Sequence, residues 1–205
     1  AAFISPALRR RRRCVSSSSS SSSATVEKTT TTTVRRVFRT PFLSEEARET
    51  LVEKVNRKIA ESGSEATPIG SIETEQCFNI ELAVSETGGG VSAEKMAILE
   101  WLLRETYEPE LFGETTSLTG DVAPSVVEVG PRLAFQSAWS TNAVAICNAC
   151  GVPEVKRLER SRRFELYARD GKKMDDAETK RAFAKEVHDR MTEGVFDQPL
   201  TSFSL

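Results

Sequence analysis

A chain of 205 residues with 39% hydrophobic residues, 28% charged residues and a formal net charge of −2 has the composition of one globular domain with extensions. No apolar run approaches the roughly 18–20 residues that cross a bilayer, which excludes a transmembrane helix. The near-zero net charge argues against nucleic acid as the partner of the whole chain. Cys14, Cys77, Cys147 and Cys150 lack the spacing of a secreted disulfide framework and read as reduced thiols of an organelle or the cytosol. The chain begins without Met and closes on PLTSFSL without a structural stop, so the expectation is a piece of a longer polypeptide.

Residues 1–33 carry arginines at 9–13, serines at 16–23 and threonines at 29–33, with no acidic residue before Glu27. Such tracts bury too little apolar surface to offset chain entropy. Arg-rich, Ser-rich and acid-poor is the composition of an organellar transit peptide. A plain disordered tail is the bland alternative.

Order is expected to begin at VRRVFRTPF, a strand over 34–39 that Pro41 ends. Ser44 offers an N-cap, Glu45 and Glu46 suit the helix dipole, and Ala47, Leu51, Val55 and Ile59 make one apolar face until Gly63. Over 72–84 the period becomes two: Phe78, Ile80, Leu82 and Val84 point one way, Asn79 and Glu81 the other, a strand with one wet face. TGGG at 87–90 is a flexible connection without the Lys and Ser/Thr of a phosphate loop. A second amphipathic helix spans 92 to about 107, with Trp101 expected in the core. A strand over 125–129 is expected to break at Gly130-Pro131, and a helix over 141–150 follows. VKRLERSRRFELYA at 155–168 is the fourth strand. Gly171 marks a turn, DDAE from Asp175 a capping box, and Phe183, Val187 and Met191 line the last helix.

Strand and helix alternate, and the strands show one wet face rather than the continuous apolar runs of a buried parallel sheet. The expected fold is α+β, a two-layer sandwich with helices on one side of a mostly antiparallel sheet. A doubly wound parallel sheet is the alternative.

Several features raise a chemical question. Cys147 and Cys150 form C-x-x-C, yet a zinc site needs four ligands and neither a second pair nor a nearby His is present. The pair also lies at a helix end, where the dipole disfavours a thiolate. His188 is the only histidine and sits beside a helix stripe without a placed partner. RLERSRR at 157–163, with Lys156 beside it, places five basic residues in or next to one strand. That strand is readable as a phosphate or RNA site, or as a solvated edge rich in Arg–carboxylate pairs. Gly130-Pro131, Arg132 and a Ser140 or Thr141 cap would bring free helix amides and a guanidinium together as a potential anion site. Caps and tight turns commonly occur without a ligand, so the local reading is a structural joint.

The combination of EVGPR, AWSTNAV, RLERSRR and HDRMTE resembles the amino-terminal region of the phosphoribosylformylglycinamidine synthase family in its large single-chain form, over residue 34 to the end. The resemblance implies a purine-biosynthesis ligase that uses ATP, Mg²⁺ and glutamine to turn formylglycinamide ribonucleotide into its amidine. Its glutaminase domain frees ammonia by a Cys–His route, and its synthetase domain activates the amide oxygen. The amino-terminal region is then a fused pair of small subunits that docks both larger domains, with no membrane or nucleic-acid partner. The implied division is a transit peptide at 1–33, an assembly domain at 34–168 and the start of a helical linker to the synthetase domain at 169–205. With the leader, the implied location is the chloroplast stroma or also the mitochondrion. The resemblance carries no catalytic, cofactor-binding or metal-binding residue onto any position here, His188 included. This part alone is expected to be inactive and to bind neither ATP nor Mg²⁺. An independent phosphate- or nucleic-acid-binding module built on residues 157–163 is the alternative.

Overall fold

The computed structural model describes residues 31–84, 90–104, 106–121 and 123–204. The leader to residue 30 and most of the TGGG connection lie outside the described residues. Strand β1 is Thr32–Arg39, helix α1 Glu45–Ser62, β2 Ser71–Ala83 and α2 Ala93–Leu103. A short 3-10 turn at Pro109–Leu111 leads into β3, Phe112–Gly113. The second half runs β4 Val126–Pro131, α3 Ala138–Ala149, β5 Val155–Tyr167, α4 Ala177–Val187 and β6 Glu193–Phe196.

The six strands form one sheet in the order β3-β1-β2-β5-β4-β6, and every pairing is antiparallel. The expected α+β architecture is the one observed, and the parallel alternative is excluded. β3 and β6 were not anticipated because two and four residues are too short to show a period. The sheet order is a palindrome of the chain order, with β1-α1-β2-α2-β3 repeated as β4-α3-β5-α4-β6. A pseudo-dyad therefore passes between the two long central strands, where their midpoints Cys77 and Ser161 pair. Two residues further along each, Asn79 lies beside Arg36 of β1 and Arg163 beside Glu128 of β4. Arg36 and Glu128 thus occupy equivalent places in the two halves.

Alternation on β2 and β5 aims Ile72, Phe78, Ile80, Leu82, Leu158, Phe164 and Leu166 at the helix layer. Two apolar clusters form there, and each takes one helix from each half. Val52, Val55 and Ile59 of α1 join Phe183 and Ala184 of α4 over Val127, Val129, Phe164 and Leu166. Leu99 of α2 joins Cys147 of α3 over Val37, Phe78, Ile80 and Leu158. Phe164 is edge-on to Phe42 and Phe183, with centroids 5.4 and 5.1 Å away. Full burial of such a ring contributes roughly 1.5–3 kcal/mol.

Local signals set the helix ends. Ser44 accepts the Ala47 amide, and Gly63 closes α1 in the left-handed region at φ 62°. The last helix is capped by Asp176, one residue beyond the expected Asp175; its carboxylate takes the Glu178 and Thr179 amides. Gly70 enters β2 so close to β5 that a Cβ would stand 2.5 Å from the Ala168 carbonyl oxygen.

Four further expectations are corrected. β1 starts at Thr32, inside the threonine run, because β2 supplies a partner for its backbone up to Ala83. Gly130-Pro131 does not break β4; both residues stay in the strand and pair with Gly194 and Glu193 of β6. Proline fits because its missing N–H falls at a strand end. Trp101 is 67% exposed rather than core, since Leu99 takes the buried position of α2. Met191 is likewise exposed, because α4 ends at Val187.

Candidate functional site: a closed polar face

The sheet face away from the helices was expected to be wet, and it is not. Glu75, Cys77, Asn79, Glu128, Glu159, Ser161, Arg163 and Glu165 are all buried on it. Residues 116–121 and the C-terminal segment lie across this face. Thr116 and Ser117 bond Glu75, Thr119 bonds Glu165, and the Gly120 carbonyl accepts from Arg163 at 2.7 Å. Phe203, itself buried, stacks on the Arg157 guanidinium at 4.6 Å.

At the pseudo-dyad the polar groups close a ring. Arg36 Nε donates to Cys77 Sγ (3.3 Å), the thiol to Asn79 Oδ1 (3.7 Å), Asn79 Nδ2 to Ser161 Oγ (3.0 Å), and Ser161 Oγ to Glu128 Oε1 (2.5 Å). Arg36 Nη2 completes it on Glu128 Oε2 at 2.6 Å. Arg163, with no exposed surface, joins Glu75 at 2.5 Å and approaches Glu128 at 3.4 Å. Burial pushes the Cys77 thiol up to about 12, against the pull of Arg36, so it stays protonated and is a poor nucleophile. Burial also pushes Glu165 upward, but bonds from Thr119, Ser125 and Tyr167 outweigh it and hold its carboxyl below the ordinary range. Burial, then the neighbouring Glu165, raises the Tyr167 phenol to about 12.

The basic strand is not an edge. β5 is central, and its arginines have intramolecular partners. Arg157 bonds Glu159 and the Leu133 carbonyl, Arg160 lies 4.2 Å from the Trp139 ring centroid, and Arg162 bonds Glu193 and the Val187 carbonyl. Arg157, Arg162 and Arg163 are thus engaged within the chain, while Arg160 is exposed with the Trp139 ring beside it.

The joint around Gly130 closes in the same way. Helix α3 starts three residues earlier than expected, capped by Ser137, whose hydroxyl accepts the Ser140 amide at 3.0 Å. The anion at this N-terminus is the protein's own: Glu159 takes the Ser137 amide at 2.9 Å and hydroxyl at 2.6 Å. Ser140 is wholly buried and accepts the Leu158 amide, tying α3 to β5. Thr141 returns its hydroxyl to the Ser137 carbonyl. Arg132 turns away from the helix, to the Arg190 carbonyl at 2.6 Å and the Glu193 carbonyl at 3.2 Å. Gly130 is needed for contact, since a Cβ there would meet Phe196 at 2.7 Å.

The structure does not bring the remaining candidates together. Cys147 is buried, with its thiol raised first by burial, whereas Cys150 is exposed at the end of α3. His188 caps α4 and its Nδ1 contacts the Ala184 carbonyl. Among the described residues no group of three or more His, Cys, Asp or Glu side chains could hold a metal, and no helix is long and apolar enough to cross a membrane. Sequence reasoning missed Arg36, Glu75, Cys77, Glu128 and Glu159. No local signal marked them, because a polar side chain on a covered sheet face reads in the sequence like one facing water.

Known proteins match most of the chain in sequence. The chain is 44% identical over 170 residues to "Probable phosphoribosylformylglycinamidine synthase, chloroplastic/mitochondrial" of Arabidopsis thaliana, covering 81% of this chain and 11% of that protein. It is 36% identical over 141 residues to the phosphoribosylformylglycinamidine synthase of Dictyostelium discoideum, covering 66% and 10%. With the human protein of that name the figures are 34% over 134 residues, 65% and 10%. The chain thus spans about a tenth of these relatives' length. Residues 81–203 match the profile of a family described as formylglycinamide ribonucleotide amidotransferase N-terminal, and on that match the chain belongs to this family.

Proposed function

We propose that the chain is the non-catalytic assembly domain of a phosphoribosylformylglycinamidine synthase, the name its relatives carry. On this reading the longer polypeptide is a glutamine-, ATP- and Mg²⁺-dependent ligase of purine biosynthesis acting on formylglycinamide ribonucleotide. These residues dock its synthetase and glutaminase domains. The observation that carries the reading is the closed polar face: Arg163 and Glu75 are wholly buried and bonded to each other, so the charge joins the two halves of the domain. Glu75, Glu159 and Glu165 there already accept protein donors, which supports the reading that ATP and Mg²⁺ are held elsewhere in the longer polypeptide. The bonds are made and broken outside these residues. The name of the Arabidopsis relative and the leader composition support delivery to a plastid or mitochondrion.

The test compares the purified chain with the full-length enzyme. The chain alone is expected to release neither ammonia from glutamine nor phosphate from ATP. Deleting residues 31–204 from the enzyme is expected to abolish glutamine-dependent turnover. Glutaminase or ATPase activity of the chain well above background would overturn the reading.

A further inference from the structure

We infer that the face formed by α2 and residues 107–114 is the surface on which a basic, apolar-anchored region of the same long polypeptide docks. The inference rests on the assembly-domain reading and names the surface through which it acts.

Residues Met96, Ile98, Leu99, Trp101, Leu102 and Leu103 place apolar side chains on all sides of α2. A helix of that kind is ordinarily buried all round. Here Leu99 is fully buried and Met96, Ile98, Leu102 and Leu103 are partly buried against the core, which leaves Trp101 exposed. At 3.6 residues per turn Trp101 lies about 160° from Leu99, on the side opposite the sheet. It is 67% exposed, and Tyr107 just beyond the helix is 73% exposed.

Contacts from β1 link the segments that carry the two aromatics. Arg39 of β1 holds the Tyr107 and Glu108 carbonyls at 3.1 and 3.3 Å. Arg35, on the same strand, bridges Glu100 of α2 and Glu114 after β3. This ties the C-terminal half of α2, the loop and the edge strand into one surface. Its described charges are Glu100, Glu108, Glu110 and Glu114 against Arg35, Arg104 and Arg39, four carboxylates to three guanidiniums, of which Arg39 is buried beneath the surface. Aromatic anchors inside an acidic rim fit a partner presenting an apolar slot edged with Lys or Arg. The relatives are about nine times longer than the stretch they share with this chain, so ample partner surface is covalently attached.

The experiment is hydroxyl-radical footprinting of the full-length enzyme and of the isolated chain, combined with zero-length carbodiimide cross-linking of a ¹⁴N/¹⁵N mixture. Burial at the centre of an interface should slow oxidation of Trp101 and Tyr107 at least about tenfold in the enzyme. Glu108 and Glu110 should cross-link to lysines beyond residue 205 of the same molecule. Equal oxidation in both samples overturns the inference. If protection instead appears around Met191 and Val195, docking stands and this surface is wrong. If no part of residues 31–204 gains protection, the assembly reading fails as well. Cross-links of mixed isotope would make the occupant a second copy and overturn the inference.

Discussion

Replacing Arg163 by Met tests whether the closed face holds the fold. The methionine fills the space of the aliphatic stem and removes a head that bonds Glu75, Thr116 and the Gly120 carbonyl. Breaking a buried pair leaves an uncompensated charge and costs about 3–5 kcal/mol. Glu75 keeps donors on Thr116 and Ser117, which places the expected loss near the lower end, about 3 kcal/mol. A domain of this size has a total stability of about 5–15 kcal/mol. With a urea slope of about 2 kcal/mol per molar, the midpoint should fall by about 1.5 M. Glu75→Gln in the same background removes the orphaned charge while keeping a hydrogen-bonding group. The double variant should recover at least about 1 kcal/mol relative to the sum of the single changes, a coupling typical of contacting groups. The assay is urea unfolding followed by far-ultraviolet circular dichroism for all four proteins. A single-variant loss below about 1 kcal/mol, or strict additivity, would refute the argument that this charge pair is structural.

Gly70→Ala should destabilise by about 2 kcal/mol or more, because the new methyl meets backbone rather than a movable side chain; an unchanged melting temperature would contradict the close approach. In a Cys14→Ser background, Cys150 should react with a thiol reagent in the native protein, while Cys77 and Cys147 should need denaturant; three fast thiols would show that the interior is open. Glu165 and Asp176 have depressed values in the fold, Glu165 by net hydrogen bonding against burial and Asp176 first by its Thr179 bond. Their contribution is therefore complete above the unfolded carboxylate value of about 4 and is lost as the pH falls below it. Thr119→Val removes a donor to Glu165, so the acid-unfolding midpoint should move to higher pH; an unmoved midpoint would reject that assignment.

Most elements of the fold were legible because burial on the helix side leaves a period. Phe78, Ile80 and Leu82 alternate on β2, Val55 and Ile59 recur along α1, and Ser44 and Gly63 mark its ends. The far side of the sheet was not legible, because buried and solvated polar residues look the same in one dimension. Glu75 and Asn79 are polar letters whether water or Arg163 and Ser161 satisfies them. Trp101 failed for the converse reason: an aromatic on a helix reads as core whether the partner lies within these residues or outside them. The joint at Gly130 was recognised as structural, but its anion, Glu159, lies 22 residues after the capping Ser137 and had no local signal.

Unlike charges at matched positions across the pseudo-dyad carry a consequence for how such a unit can be divided. If either half were paired with a duplicate of itself, Arg36 would face another Arg36, or Glu128 another Glu128, at the centre of a buried seam. Each half is thereby a lock cut for the other, and a swap of like for like is closed to it.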